Sequence, residues 1–118
     1  MYTPEALDHF MKPRNPGRLA DPNGRGEATN HACGDSAEIT VRIVGDEVAA
    51  AGFVSASCAG GIACCSAATE WVIGKPVGDA LALDAATLSR LLGGLPEAKM
   101  GCAEMATEAL RAALEQAR

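Results

Sequence analysis

The stretch Ala37-Glu38-Ile39-Thr40-Val41-Arg42-Ile43, running through Gly45-Asp46-Glu47 into Val48 to Ser57, decides the fold. Ala37, Ile39, Val41 and Ile43 alternate with Glu38, Thr40 and Arg42, the period of a strand with one buried face. Gly45-Asp46-Glu47 supplies a turn, and Val48 to Ser57 returns as a second strand. The pair predicts an antiparallel β-hairpin.

Working outward toward the N-terminus, Pro13 to about Ala32 is rich in Pro, Gly, Asn and Asp, shows no apolar period, and reads as a long loop. Before it lies a short helix. Thr3 is placed to cap it, Pro4 suits its first position, Leu7, Phe10 and Met11 form its apolar stripe, and Pro13 stops it. Toward the C-terminus, Cys58-Ala59-Gly60-Gly61 leads into a helix over Ile62–Ile73, closed by Gly74 and Pro76. A helical turn is expected at Val77–Leu81. Asp84 caps a helix whose Leu88, Leu91 and Leu92 share a face, ended by Gly93-Gly94. A last helix starts near Cys102, with Met105, Ala106, Ala109, Leu110, Ala113 and Leu114 at steps of three and four. The expected class is α+β: a small antiparallel sheet of about three strands with helices packed on one face, in a single domain spanning residues 1–118.

Composition sets further bounds. The 118 residues are 48% hydrophobic but only 3% aromatic, so the core is expected from Ala, Val, Leu and Ile. A net charge of −5 excludes a general nucleic-acid binder, which needs a basic footprint. No apolar run approaches the roughly 20 residues that cross a bilayer, and Met1-Tyr2-Thr3-Pro4-Glu5 lacks the pattern of a signal peptide. A cytoplasmic protein without membrane contact is the expectation. Five cysteines, an odd number, argue against a disulfide framework and for fillers, metal ligands or nucleophiles.

Cys33, Cys58 and Cys102 all fall at element junctions, where side chains can face a common cleft. Cys58 and Cys102 also stand at helix beginnings, which favour negative charge and lower a thiol pKa. Soft thiolates of this kind are what iron–sulfur chemistry selects. No two of the three form a CxxC pair, so on residues alone a metal site and unrelated reduced thiols both stay open.

Four ordered motifs carry a resemblance. Leu7-Asp8-His9-Phe10 with Pro13-Arg14-Asn15-Pro16-Gly17 is the first, and Ala32-Cys33-Gly34-Asp35 the second. Cys58 through Ser66 with Ala68-Thr69-Glu70-Trp71-Val72-Ile73-Gly74-Lys75 is the third, and Gly94-Leu95-Pro96 through Lys99-Met100 and Cys102 the fourth. In their order and intervals they resemble the NifU/IscU family of iron–sulfur scaffolds over nearly the whole chain. The resemblance implies a protein that takes sulfur from a cysteine desulfurase, combines it with iron, holds a [2Fe-2S] cluster and passes it to apo-protein acceptors. It implies Cys33, Cys58 and Cys102 as ligands, Asp35 beside them, and zinc as a metal the isolated protein could carry. Such a scaffold is not an enzyme in the turnover sense. A carboxylate in place of a fourth thiolate implies a loosely held cluster, suited to release.

The chain departs from the family in three places. Gly101 stands where a His commonly precedes the third cysteine, and Cys64 and Cys65 replace two serines. The stretch tied to chaperone recognition reads Leu95-Pro96-Glu97-Ala98-Lys99, which leaves a chaperone partner open. Cys64 and Cys65 are expected as buried fillers, His31 as a solvated loop residue, and His9 and Trp71 as packing residues. Gly60 and Gly61 serve as turn formers that also let N–H groups approach an anion. Cys102, at a helix head behind a small Gly101, is expected to form its thiolate near neutral pH and to be the main sulfur acceptor, with Lys99 adding positive charge. The rival reading is a zinc-dependent sulfurtransferase of the SufU branch. That branch typically carries an extra segment between the second and third ligand cysteines, which this chain lacks. A metal-free adaptor for the desulfurase is a third reading, opposed by the intact Cys33, Asp35, Cys58 and Cys102.

Overall fold

The structure is a computed structural model that describes residues 2–117. Helix α1 (Pro4–Met11) begins as its residues dictate: the Thr3 side chain accepts the Ala6 N–H, and Pro4 sits where its missing N–H costs nothing. Strands β1 (Gly24–Asn30), β2 (Asp35–Val44) and β3 (Glu47–Ala56) form one antiparallel sheet in that order. Helix α2 (Ala59–Val72) follows, then a helical turn α3 (Val77–Ala80), α4 (Ala85–Leu91) and α5 (Met100–Ala117), the last preceded by a 3₁₀ turn at Glu97–Lys99. Among the described residues no helix is long and apolar enough to cross a membrane.

The hairpin register places Ile39 opposite Phe53 and Val41 opposite Ala51. These four side chains are buried in one cluster with Leu88, Leu92, Met105, Leu110 and Leu114 from the helices. Each fully buried aliphatic side chain stabilises the fold by roughly 1.5–3 kcal/mol. On the opposite face of β2, Glu38 and Thr40 are also buried. Their cover is the segment between α1 and β1, where Arg18 binds Glu38, Leu19 N donates to Thr40 Oγ1, and Arg42 binds the Asp21 carbonyl and carboxylate.

The α+β class and the three-stranded sheet agree with expectation, but the long loop does not. Its second half is β1. The strand turns Gly24 and Gly26 toward α5, where an added Cβ would strike the Ala113 and Ala109 carbonyl oxygens at 2.2 and 2.3 Å. β1 thus gains its place by backbone proximity to an alanine-rich helix, with no apolar alternation to announce it. Helix α2 starts at Ala59 instead of Ile62, so Gly60 and Gly61 lie in its first turn and are not turn formers. In α4, capped by Asp84 as expected, Leu88 and Leu92 are fully buried while Leu91 is 38% exposed. Leu91 therefore does not share their face.

Candidate metal centre

Each chemical residue reaches the cleft from a different element. Asp35 is the first residue of β2 and pairs with Asn30 across the sheet. Cys58 is the N-cap of α2, and Cys102 lies in the first turn of α5. The packing of α2 on α5 brings the Cys58 and Cys102 sulfurs to 3.9 Å. Asp35 Oδ2 accepts the Cys58 N–H at 3.4 Å. One carboxylate oxygen and the two sulfurs all lie within 4.8 Å of one another, close enough to share a metal ion.

Cys33 stands apart from that group. It occupies the exposed loop between β1 and β2, two residues before Asp35, with Gly34 at φ +75° between them. Hydrogen bonding from Cys33, then from the Cys58 N–H, holds the Asp35 carboxyl below its ordinary range. Of the four expected residues, three converge in this geometry and Cys33 waits at the rim. His31 is exposed in the same loop, outside the group.

The two inner thiols differ sharply. Burial pushes the Cys58 thiol up, but the Gly61 and Gly60 N–H groups, the Cys102 thiol and the Lys99 charge outweigh it, and the net value falls below the ordinary one. Lys99 Nζ lies 3.7 Å from Cys58 Sγ. Cys102 is only 2% exposed, and burial followed by the neighbouring Cys58 pushes it up to about 12. The expectation of a Cys102 thiolate near neutral pH, open to an approaching sulfur, is therefore not met. The helix-head argument holds instead for Cys58, whose sulfur faces the free N–H groups of Gly60 and Gly61. Lys99 serves Cys58 as well.

Tyr2 completes the cleft, and sequence reasoning missed it. A Cβ at Gly60 would meet its hydroxyl at 2.9 Å, and burial, then the charge of Cys58, raises its pKa. The one signal for it was the pair of glycines after Cys58, which leave room for a ring. Cys64 and Cys65 are fully buried fillers, as expected. Burial pushes both thiols up, Cys65 to about 12. His9 is a packing residue whose Nδ1 bonds Ser66 Oγ at 2.8 Å, and the half-buried Trp71 stacks under Lys75 Nζ at 4.2 Å.

Several known proteins are similar to this chain. The iron–sulfur cluster assembly scaffold protein IscU 1 of Archaeoglobus fulgidus is 38% identical over 114 residues, covering 97% of this chain and 74% of that protein. IscU of Aquifex aeolicus is 39% identical over 116 residues, with the same coverage of each. The nitrogen fixation protein NifU of Azotobacter chroococcum is 35% identical over 115 residues, 96% of this chain but 37% of that protein. Two solved structures share the fold. One is a putative iron–sulfur cluster assembly scaffold protein for the SUF system from Fervidobacterium islandicum, with TM-score 0.78, 19% identity and 96% of each chain covered. The other is the N-terminal part of a NifU-like protein from Brucella abortus, with TM-score 0.76, 18% identity, and 98% of this chain and 92% of that one covered. The family model described as the NifU-like N terminal domain matches residues 1–118, and the chain belongs to that family.

Proposed function

We propose that this protein is a scaffold on which a [2Fe-2S] cluster is assembled from iron and desulfurase-derived sulfur, then passed to apo-proteins. The observation that carries the reading is the set of Asp35, Cys58 and Cys102 ligand atoms within 4.8 Å of one another. Two thiolates select iron and sulfide over hard cations. The Asp35 oxygen is a harder and weaker partner, so the cargo is held without being trapped. Cys33, exposed at the rim, is the third thiolate of the proposed set. The relatives named as scaffolds support the same role, and the free cysteines suit a reducing compartment such as the cytoplasm.

Access orders the chemistry. A desulfurase persulfide gives up its outer sulfur to an attacking thiolate, which becomes the new persulfide while the desulfurase sulfur leaves as a thiolate. Cys58, the readier thiolate, and Cys33, the exposed one, stand open to that attack. Cys102 is covered, so sulfur acceptance moves in this proposal from Cys102 to the outer pair. Metal binding then drives the proton off Cys102, because a coordinating thiol is deprotonated outright. Each accepted sulfur needs two further electrons, supplied by an external reductant, to become a bridging sulfide.

The same atoms suit zinc, which takes thiolate and carboxylate ligands tetrahedrally. In the rival reading zinc stays, and the protein relays persulfide without building a cluster. Timed transfer to an apo-ferredoxin separates the two. A scaffold loaded with iron, cysteine, desulfurase and a reductant converts the acceptor to its coloured form. A zinc relay leaves the acceptor colourless and carries only labile persulfide.

A further inference from the structure

Three consecutive backbone N–H groups of the loop that carries Cys33 end on a single residue. The Cys33 and Gly34 N–H groups donate to the Asn30 carbonyl at 3.2 and 2.8 Å, and the Ala32 N–H donates to Asn30 Oδ1 at 3.2 Å. The other end of the same carboxamide lies over the head of α5, where a Cβ at Gly101 would meet Asn30 Nδ2 at 2.7 Å. Gly101 directly precedes Cys102, and Asn30 is the strand partner of Asp35. The Asn30 side chain therefore joins the Ala32 N–H, next to Cys33, to the head of α5 next to Cys102, while its main-chain carbonyl holds the Cys33 and Gly34 N–H groups.

We propose that Asn30 is the positioning residue that fixes the Cys33 loop against the head of α5, so that the Cys33 thiol completes the metal-binding set. The inference rests on the reading of the cleft as a metal centre. A four-residue loop without internal order would lose conformational freedom when its cysteine joined a metal, and that loss would weaken binding. The backbone carbonyl of residue 30 closes the turn, and the Asn30 side chain adds the bond to the Ala32 N–H and ties that turn to α5 beforehand. The absent side chain at Gly101 is the other half of the arrangement, since any larger residue there would displace the carboxamide.

The test uses Co²⁺ alone as the probe, with the thiolate-to-cobalt charge-transfer band as readout. In the wild type the band reports all thiolate ligands, and Cys33→Ser lowers it. Asn30→Ala is expected to weaken Co²⁺ binding about tenfold or more and to lower the saturated band toward that of Cys33→Ser. Asn30→Asp keeps an oxygen for the Ala32 N–H and is expected to restore the band. Gly101→Ala leaves the β1–β2 turn intact but pushes the carboxamide away, and it should reproduce the loss if Asn30→Ala fails to fold. A purely structural Asn30 would lower the melting temperature and leave the saturated band unchanged. Wild-type affinity and band in Asn30→Ala, or in a folded Gly101→Ala, would overturn the inference while the metal centre stands. A band unaffected by Cys33→Ser would overturn the inference and leave a centre of Asp35, Cys58 and Cys102, while a wild type with no thiolate band would overturn both.

Discussion

The sulfurs of Cys58 and Cys102 stand 3.9 Å apart although 44 residues separate them in the chain. Two helix beginnings create this proximity, since Cys58 caps α2 and Cys102 lies in the first turn of α5. The two thiols are not equivalent. Gly60 and Gly61 N–H groups and Lys99 serve one, while the other is sealed under it.

That asymmetry fixes an order of chemical reactivity in the metal-free protein. Iodoacetamide at neutral pH should modify Cys33 and Cys58 well before Cys102, leaving Cys64 and Cys65 untouched until the protein unfolds. As pH rises, Cys58 should react at lower pH than Cys102, because its thiolate is favoured and that of Cys102 is pushed up to about 12. Peptide mass spectrometry over a pH series reads the order. Cys102 labelled ahead of Cys58 would contradict it.

Asp35 is expected to govern release. Replacing it with Ala removes the weak oxygen partner and leaves the thiolates, so the variant should still assemble a cluster but transfer it more slowly to an apo-acceptor. Transfer timed for both proteins decides the matter, and equal or faster transfer from Asp35→Ala would refute the role.

Cys64 and Cys65 should be dispensable for the chromophore. Both are fully buried, so replacement by Ala leaves a small cavity costing about 1–2 kcal/mol. Ser is expected to cost more at Cys64 than at Cys65, because Ser55 is placed to bond a group at position 65. Denaturant titration gives the costs, and reconstitution gives the chromophore. Loss of colour from either folded variant would make that cysteine an additional ligand.

How much of this was legible in the sequence depended on whether the signal was local. Thr3 and Asp84 cap helices by bonds within one turn, and the Ile39–Val41 alternation is a property of one strand, so these read correctly. β1 was hidden because Gly24, Gly26 and Ala28 present small surfaces to α5, and a strand held by close approach shows no apolar period. The four expected site residues were named from junctions and from the family resemblance, and three of them, Asp35, Cys58 and Cys102, meet in the cleft. The ranking of Cys58 over Cys102 was not, because it depends on which sulfur α2 and α5 bury when they meet.

The segment over the outer sheet face predicts a pH dependence of stability. Glu38, buried against Arg18 and Arg25, has its carboxyl held at about 2 against an ordinary 4.5, chiefly by hydrogen bonds from Arg18. A depressed carboxyl stabilises the fold fully above its unfolded value, and that contribution is lost as pH falls from about 4.5 toward 2. Glu38→Gln should therefore melt below the wild type at pH 7, with the gap closing through that acidic window. A gap that persists unchanged at pH 2 would show that the carboxylate charge is not its source.

The most direct measurement is anaerobic reconstitution with iron, cysteine, a desulfurase and dithiothreitol as reductant, followed by visible absorption and metal analysis of the re-isolated protein. The account predicts the absorption of a [2Fe-2S] cluster, with iron and acid-labile sulfide in equal amounts. It also predicts that Cys58→Ser, whose side chain still fits the N-cap, loses both while remaining folded. A colourless wild type that returns with zinc and no iron would contradict it, as would a Cys58→Ser variant that keeps the full chromophore.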